Sequence, residues 1–340
     1  MHEFNIPIES RIRYEPKINP EGITISGITP IDKETHWLYE FNEIDDFISA
    51  LDFKKSDILP HGLNGKHHRL LFRGHRDSEW ELLPTRFREI NKPENKNSYN
   101  SLRSGNGDNV SELHDFKCFI EGMNNLGLYV EDDSFRLINT NTESEHLMLF
   151  EEFSTFPSSK QLKELALAQH YGIKTRLLDF TRNHYKALFF AIESIPKNLK
   201  NSNKKIGIWI FPERLIEIVS EVLYVERIFV QGFQNKNMAA QEGLFINYFK
   251  GRCDSGELFT KEEKMKTLDQ YLMLENIYPD QKRLITERIG KPMLYTISQN
   301  KLWEIFDMLE ALNINWITIQ PDLHGIRKEV ERRNTIYDKS

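Results

Sequence analysis

Hydrophobic positions change rhythm along this chain near residue 173. Before it, most apolar residues recur at three- and four-residue spacing; after it, they gather into short β-prone runs. In "EFNEIDDFISALDF" the residues Phe41, Ile44, Phe47, Ile48 and Leu51 share one face, which predicts an amphipathic helix. A polar loop, "PHGLNGKHH", leads into "RLLFRGH", where Leu71 and Arg73 alternate with Leu70 and Phe72 as in a strand that ends at Gly74. The segments "SELHDFKCFIEGMNNLGLYV", "SEHLMLFEEF" and "SSKQLKELALAQHYG" read as three more helices. The first breaks near Gly127, and Gly172 stands as a left-handed cap after the last.

Beyond residue 173, "IKTRLLDF", "KIGIWIF", "QEGLFINY", "PMLYTI" and "NWITI" are five predicted strands. "KLWEIFDMLEALN" and "PDLHGIRKEVERR" are predicted helices, the second entered through Pro321. Helices crowd the first half and strands the second, which predicts an α+β fold with an elaborated helical front rather than a doubly wound sheet. Residues 1–39 read as an entry arm and 40–335 as a single domain. That domain contains a mobile polar loop over 91–109, "NKPENKNSYNSLRSGNGDN".

Composition narrows the class only modestly. The chain of 340 residues is 39% hydrophobic and 28% charged, as in globular proteins, and no apolar run is long enough to span a bilayer. No export signal is visible at the N-terminus, so a cytoplasmic, membrane-free protein is expected. A net charge of −6 argues against coating nucleic acid nonspecifically. Cys118 and Cys253 are far apart and form no CxxC pair, which predicts two free, mostly buried thiols. The adjacent His67 and His68 cannot chelate from one helix face, and no metal site is expected.

Candidate chemistry lies in three places. In "FRGHR", Arg73 is either an edge-strand charge or a planar fork held at a strand mouth for a phosphate or carboxylate. Gly74 would let a ligand approach the backbone. In "QHYGIKTRLLDFTRNHY", Arg176 and Asp179 sit among apolar neighbours and need partners. The partners could be a structural network with Thr181 or Asn183 capping the next helix, or a ligand flanked by Tyr171 and Tyr185. In "MAAQEGLFINYF", Glu242 fits a solvated edge strand or an active-site carboxylate, and Arg227, in "YVERIFVQ", reads as a surface charge.

Together these stretches resemble the FRG domain, named for the triplet that stands here as Phe72-Arg73-Gly74. The resemblance runs through "WELLPTRFR", "QHYGIKTRLLDFT", "ALFFA", "ERIFVQ", "AAQEGLF" and "INWITIQPDLHGI", roughly residues 40–330. It implies a split, mostly antiparallel sheet of the ADP-ribosyltransferase-like kind, with NAD bound as substrate in the cleft. It also implies a bacterial toxin or anti-phage context. Carried over by position, Arg73 and Glu242 would be catalytic. Arg73, Gly74, His170, Tyr171, Arg176, Asp179, Thr181, Tyr185 and Gln241 would bind the dinucleotide, Tyr171 or Tyr185 as the stacking ring. A macromolecular acceptor is expected, nucleic acid before protein, with Arg86, Arg88 and Arg103 as phosphate guides and an antitoxin as a possible partner. The alternatives are a non-catalytic module that binds a nucleotide or partner, and a nuclease or N-glycosidase acting through Asp179 and Glu242.

Overall fold

The computed structural model describes residues 24–52, 70–90, 107–139, 156–193, 195, 202–220, 224–230, 236–248, 266–273 and 290–337. The predicted helix "SEHLMLFEEF", residues 91–106 of the polar loop (with Arg103), His67, His68 and Cys253 lie outside them, while the loop's last residues, 107–109, are helical rather than a loop.

The described strands are β1 (Ile31–Lys33), β2 (His36–Phe41), β3 (Leu70–His75), β4 (Leu178–Thr181), β5 (Lys205–Pro212), β6 (Glu226–Ile228), β7 (Gly243–Asn247) and β8 (Met293–Ser298). They form one mixed sheet in the order β1-β2-β8-β5-β3-β4-β7-β6. Only β2 and β8 run parallel; every other neighbouring pair is antiparallel. The mostly antiparallel α+β class matches expectation. The entry arm does not stay apart from it: Ile31–Lys33 and His36–Phe41 are strands of the same sheet.

Helices cover the sheet on both faces. They are α1 (Ile44–Leu51), α2 (Thr85–Ile90), α3 (Gly107–Asn125), α4 (Asp132–Asn139), α5 (Leu162–His170), α6 (His184–Glu193), α7 (Glu213–Val219), α8 (Lys236–Ala240), α9 (Leu268–Leu272), α10 (Leu302–Ala311), α11 (Trp316–Ile319) and α12 (Leu323–Tyr337). Helix α5 ends as Gly172 dictates. The glycine takes φ 93°, and the Ile173 N–H returns to the Ala168 carbonyl at 3.0 Å. The run "NWITI" is a helix, not the expected strand. The Asn315 side chain accepts from the N–H groups of Ile317 and Thr318, and the Thr318 hydroxyl accepts from Asn315 N–H, so a capping box overrides β-branched propensity.

Alternation along β3 and β5 explains the layering. Phe72, Ile208 and Ile210 pack on one face with α6, α10 and α11, while Leu71, Trp209 and Phe211 pack on the other with α7 and α9. Under β4, β6 and β7 the first face is covered instead by α3, α4 and α5. One face of the sheet therefore carries two separate apolar packs, and they meet where β3 adjoins β4. There the ladder nearly fails. Phe72 and Thr181 are the single paired residues between β3 and β4, against six pairs between β3 and β5.

Candidate functional site

A cavity of about 250 Å³ opens at this seam. Its floor is the parting of the sheet, with Phe72, Arg73 and Gly74 from β3 and Asp179, Phe180 and Thr181 from β4. Gln169 and His170 of α5 stand on one side, Ala187 and Phe190 of α6 on the other. Met238 of α8, Gln241 and the start of β7 close the end.

Arg73 fills the gap that the missing ladder leaves. Its Nη1 donates to the Asp179 carbonyl at 2.7 Å and pairs with the Asp179 carboxylate at 2.5 Å. Its Nε donates to His75 Nε2 at 3.1 Å. Only 10% of the Arg73 side chain is exposed, whereas the Asp179 side chain, at 61%, opens to solvent. Desolvation by the surrounding chain works to raise the Asp179 carboxyl even though its side chain reaches solvent, but the charge and hydrogen bond of Arg73 outweigh it, and the net shift is downward. Gln169 supports the same carboxylate: its Nε2 lies 3.4 Å from Asp179 Oδ1, and its own oxygen accepts from the Thr175 hydroxyl.

His75 is buried, and its neighbours fix its tautomer. Its Nδ1 lies 3.1 Å from the Trp80 carbonyl, which can only accept, so the proton sits on Nδ1 and Nε2 is free to accept from Arg73. Burial, then the positive charges of Arg73 and Arg88, lower its pKa from 6.5 to about 3. Arg88 of α2 is itself lowered by burial and by Arg73, and it donates to Thr85 at 3.3 Å.

Glu242 does not itself line the cavity. Rather than lying within a late strand, as its sequence context predicts, it occupies the turn before β7, at φ 50°. Its neighbours Gln241 and Gly243 line the cavity. Its carboxylate takes 2.5 Å from Lys186 Nζ and 3.3 Å from Asn183 Nδ2. Burial raises its pKa, but the bonds from Lys186 and Asn183 prevail and the net shift is downward, so the group is ionised. Asn183 also caps α6, its Oδ1 accepting from the N–H groups of Tyr185 and Lys186. The Thr181 hydroxyl ties β4 to the turn through the Gln241 carbonyl at 2.7 Å.

Arg73, Gly74, His170, Asp179, Thr181 and Gln241 thus share one cavity, with Glu242 beside it. Three expectations need correction. Arg176 does not enter a ligand network; its guanidinium and its N–H are both taken by Glu112, and the side chain is 1% exposed. Tyr171 is 68% exposed and lines a different, apolar cavity of about 730 Å³ between α3 and α5. Tyr185 packs with His184 at 4.1 Å between ring centroids. Neither tyrosine lines the seam; Phe190 does. Gly74 does line the seam, and the packing of α6 requires glycine there as well, because a Cβ would stand 1.9 Å from the Ala187 carbonyl oxygen.

The outlying charges and thiols differ too. Arg86 is buried against Asp115 at 2.8 Å, which withdraws it from any phosphate-guiding role. Arg227 is a half-buried partner of Glu213 and Glu217 rather than a surface charge. Cys118 is free but exposed. Among the described residues, no group of three His, Cys, Asp or Glu side chains is placed to hold a metal ion, and no helix is long and apolar enough to cross a membrane.

Gln169, His75 and Lys186 join the site without a sequence-based expectation. Gln169 opens the "QHYG" run, so its place beside the site residues was a usable signal; the other two act through partners that only the fold supplies.

Residues 68–200 match the family model of the FRG domain, which includes β3, α5, β4 and α6 and so the greater part of the seam. No curated protein and no solved structure matches the chain.

Proposed function

This chain is an FRG-domain protein, and we propose that its seam binds NAD and serves ADP-ribosyl transfer to a macromolecular acceptor, RNA first. One observation carries the reading. A guanidinium is fixed in the opening of a mostly antiparallel sheet, and the turn whose Gln241 and Gly243 line the same cavity carries an ionised carboxylate, Glu242, between them.

Charge supports an anionic ligand. Arg73 and Arg88 both act on Asp179, and His75, which feels both, is neutral. Two guanidinium groups against one carboxylate leave a net positive charge for a phosphate to neutralise. Size supports one half of a dinucleotide inside. About 250 Å³ is below the roughly 300–1,000 Å³ that encloses a drug-sized ligand, so one heterocycle and its sugar fill it and the remainder follows the open mouth. Phe190 offers the ring face that Tyr171 and Tyr185 do not.

In the reaction, the bond from ribose C1′ to the nicotinamide nitrogen breaks, and its electron pair leaves with the nicotinamide. An acceptor oxygen or nitrogen adds to C1′ and releases its proton. Glu242, ionised through Lys186, stabilises the positive charge that develops on the sugar. Under this reading the setting is the cytosolic one that the family resemblance implies, a toxin or an anti-phage effector, and a toxin would call for an antitoxin partner.

A second reading has its own support. Both key charges are already paired, Arg73 with Asp179 and Glu242 with Lys186, as suits a module that binds a nucleotide without turnover. Incubation with labelled NAD, followed by separation of RNA, DNA and protein, tests both. Transfer lost in Glu242→Gln with NAD binding retained, and binding lost in Arg73→Ala, is the expected pattern. NAD bound without nicotinamide release selects the second reading; no binding at all rejects both.

A further inference from the structure

An arginine that meets a ligand through five N–H groups can do so in several orientations. Arg73 has few. Its Nε is engaged by His75, and both contacts of Nη1 go to Asp179. The guanidinium is held on two of its three nitrogens, and the third, Nη2, has no partner among the described residues.

We infer that His75 is a positioning residue for Arg73, a buried acceptor that fixes the roll of the guanidinium so that Nη2 alone is offered to the ligand. The inference rests on the reading that Arg73 contacts a bound nucleotide. Its geometry is complete on the protein side. The Trp80 carbonyl holds the proton on Nδ1, which keeps Nε2 an acceptor aimed at Arg73. The Trp80 N–H in turn bonds to the Asp77 carbonyl at 3.0 Å, so a tight turn anchors the chain of contacts.

A protonated imidazole could not do this, since it would point a hydrogen at Arg73. The charged groups that act on His75 are Arg73 on its own strand, Arg88 on α2 and Asp179 on β4, and the two arginines oppose protonation. Asp179 alone would leave the guanidinium free to swing about the Nη1 contacts. Two anchors at different nitrogens remove that freedom, and preorganisation of this kind strengthens binding by sparing ordering at the moment of contact.

The test uses two variants and two readouts. His75→Leu keeps the site apolar and removes the acceptor; His75→Gln restores an amide oxygen toward Arg73. In full-length protein carrying ¹⁵N-arginine, the Arg73 Nε–H resonance, assigned by its loss in Arg73→Lys, should be slowly exchanging in the native chain and in His75→Gln. It should broaden or vanish in His75→Leu. Titration with NAD should show affinity weakened roughly tenfold or more in His75→Leu and largely recovered in His75→Gln, as for a lost hydrogen bond to a charged group. An unchanged Nε–H signal in His75→Leu overturns the inference, as does native NAD affinity in that variant. If native protein ignores NAD while the Nε–H signal still depends on residue 75, the positioning stands and the nucleotide reading falls.

Discussion

Arg176 and Glu112 are locked together in the interior, Nη2 to Oε2 at 2.6 Å, with 1% and 2% of their side chains exposed. The carboxylate also receives the Arg176 backbone N–H at 2.7 Å and Nε at 2.7 Å, so α3 is stitched to the segment entering β4. A pair so fully withdrawn from water is costly to break, because the survivor is left as an uncompensated buried charge.

Glu112→Ala should therefore destabilise the protein by about 3–5 kcal/mol. The double change Glu112→Leu with Arg176→Leu should cost much less than the two single changes summed, since no lone charge remains. Urea unfolding of the native protein, Glu112→Leu, Arg176→Leu and the double variant measures the coupling, and additive effects would show the pair to be independent.

Gly74→Ala tests why glycine follows Arg73. The added Cβ would lie 1.9 Å from the Ala187 carbonyl oxygen and 2.9 Å from the Ala191 nitrogen, so α6 would have to lift from β3. A loss of at least about 1–3 kcal/mol is expected, as for overpacking of a core. It should appear as a lower melting temperature without ligand present. Native stability would mean that the helix accommodates the methyl group.

Acid should weaken the fold well before its carboxylates protonate. Burial holds His75 and His184 neutral, at about 3 and about 4 against 6.5. The unfolded chain binds protons at both near 6.5, so below that pH unfolding takes up protons and stability falls as pH falls. Each group contributes roughly 1.4 kcal/mol per pH unit at full slope, with the His184 share ending near pH 4 and that of His75 near 3. Urea midpoints at pH 7.5, 6.5 and 5.5 should decline accordingly. A flat profile over that span would contradict the buried neutral assignment.

Lys186→Met should raise the Glu242 pKa. The lysine supplies both a 2.5 Å bond and a positive charge that lower it, and without them the opposing effect of burial gains weight. A ¹³C titration of the side-chain carboxyls, with Glu242→Gln to assign the resonance, reads this directly. Movement downward, or none, would show that Asn183 and Arg182 suffice.

Much of the scaffold could be read from residue order because burial leaves a signature there. "KIGIWIF" is apolar on both faces and becomes β5 at the sheet centre; Gly172 marks the end of α5. The misread "NWITI" shows the limit of propensity, since two side-chain bonds from Asn315 decide its conformation. The site was legible in its residues but not in their partners. Arg73, Asp179 and Gln241 were identifiable, yet Arg176 could be assigned to the wrong role because Glu112, its partner, lies 64 positions upstream. Nor does any local pattern announce that β3 and β4 separate after one pair; register is a property of the assembled sheet.

A sheet stitched at one residue pair concentrates its compliance there. With Phe72 and Thr181 as the single rung, two well-packed blocks flank a weak line, and side chains rather than backbone brace it. A molecule wedged into that line touches both blocks at once and acts as a rivet. Occupancy should stiffen the whole protein, felt as slower amide exchange in strands far from the ligand.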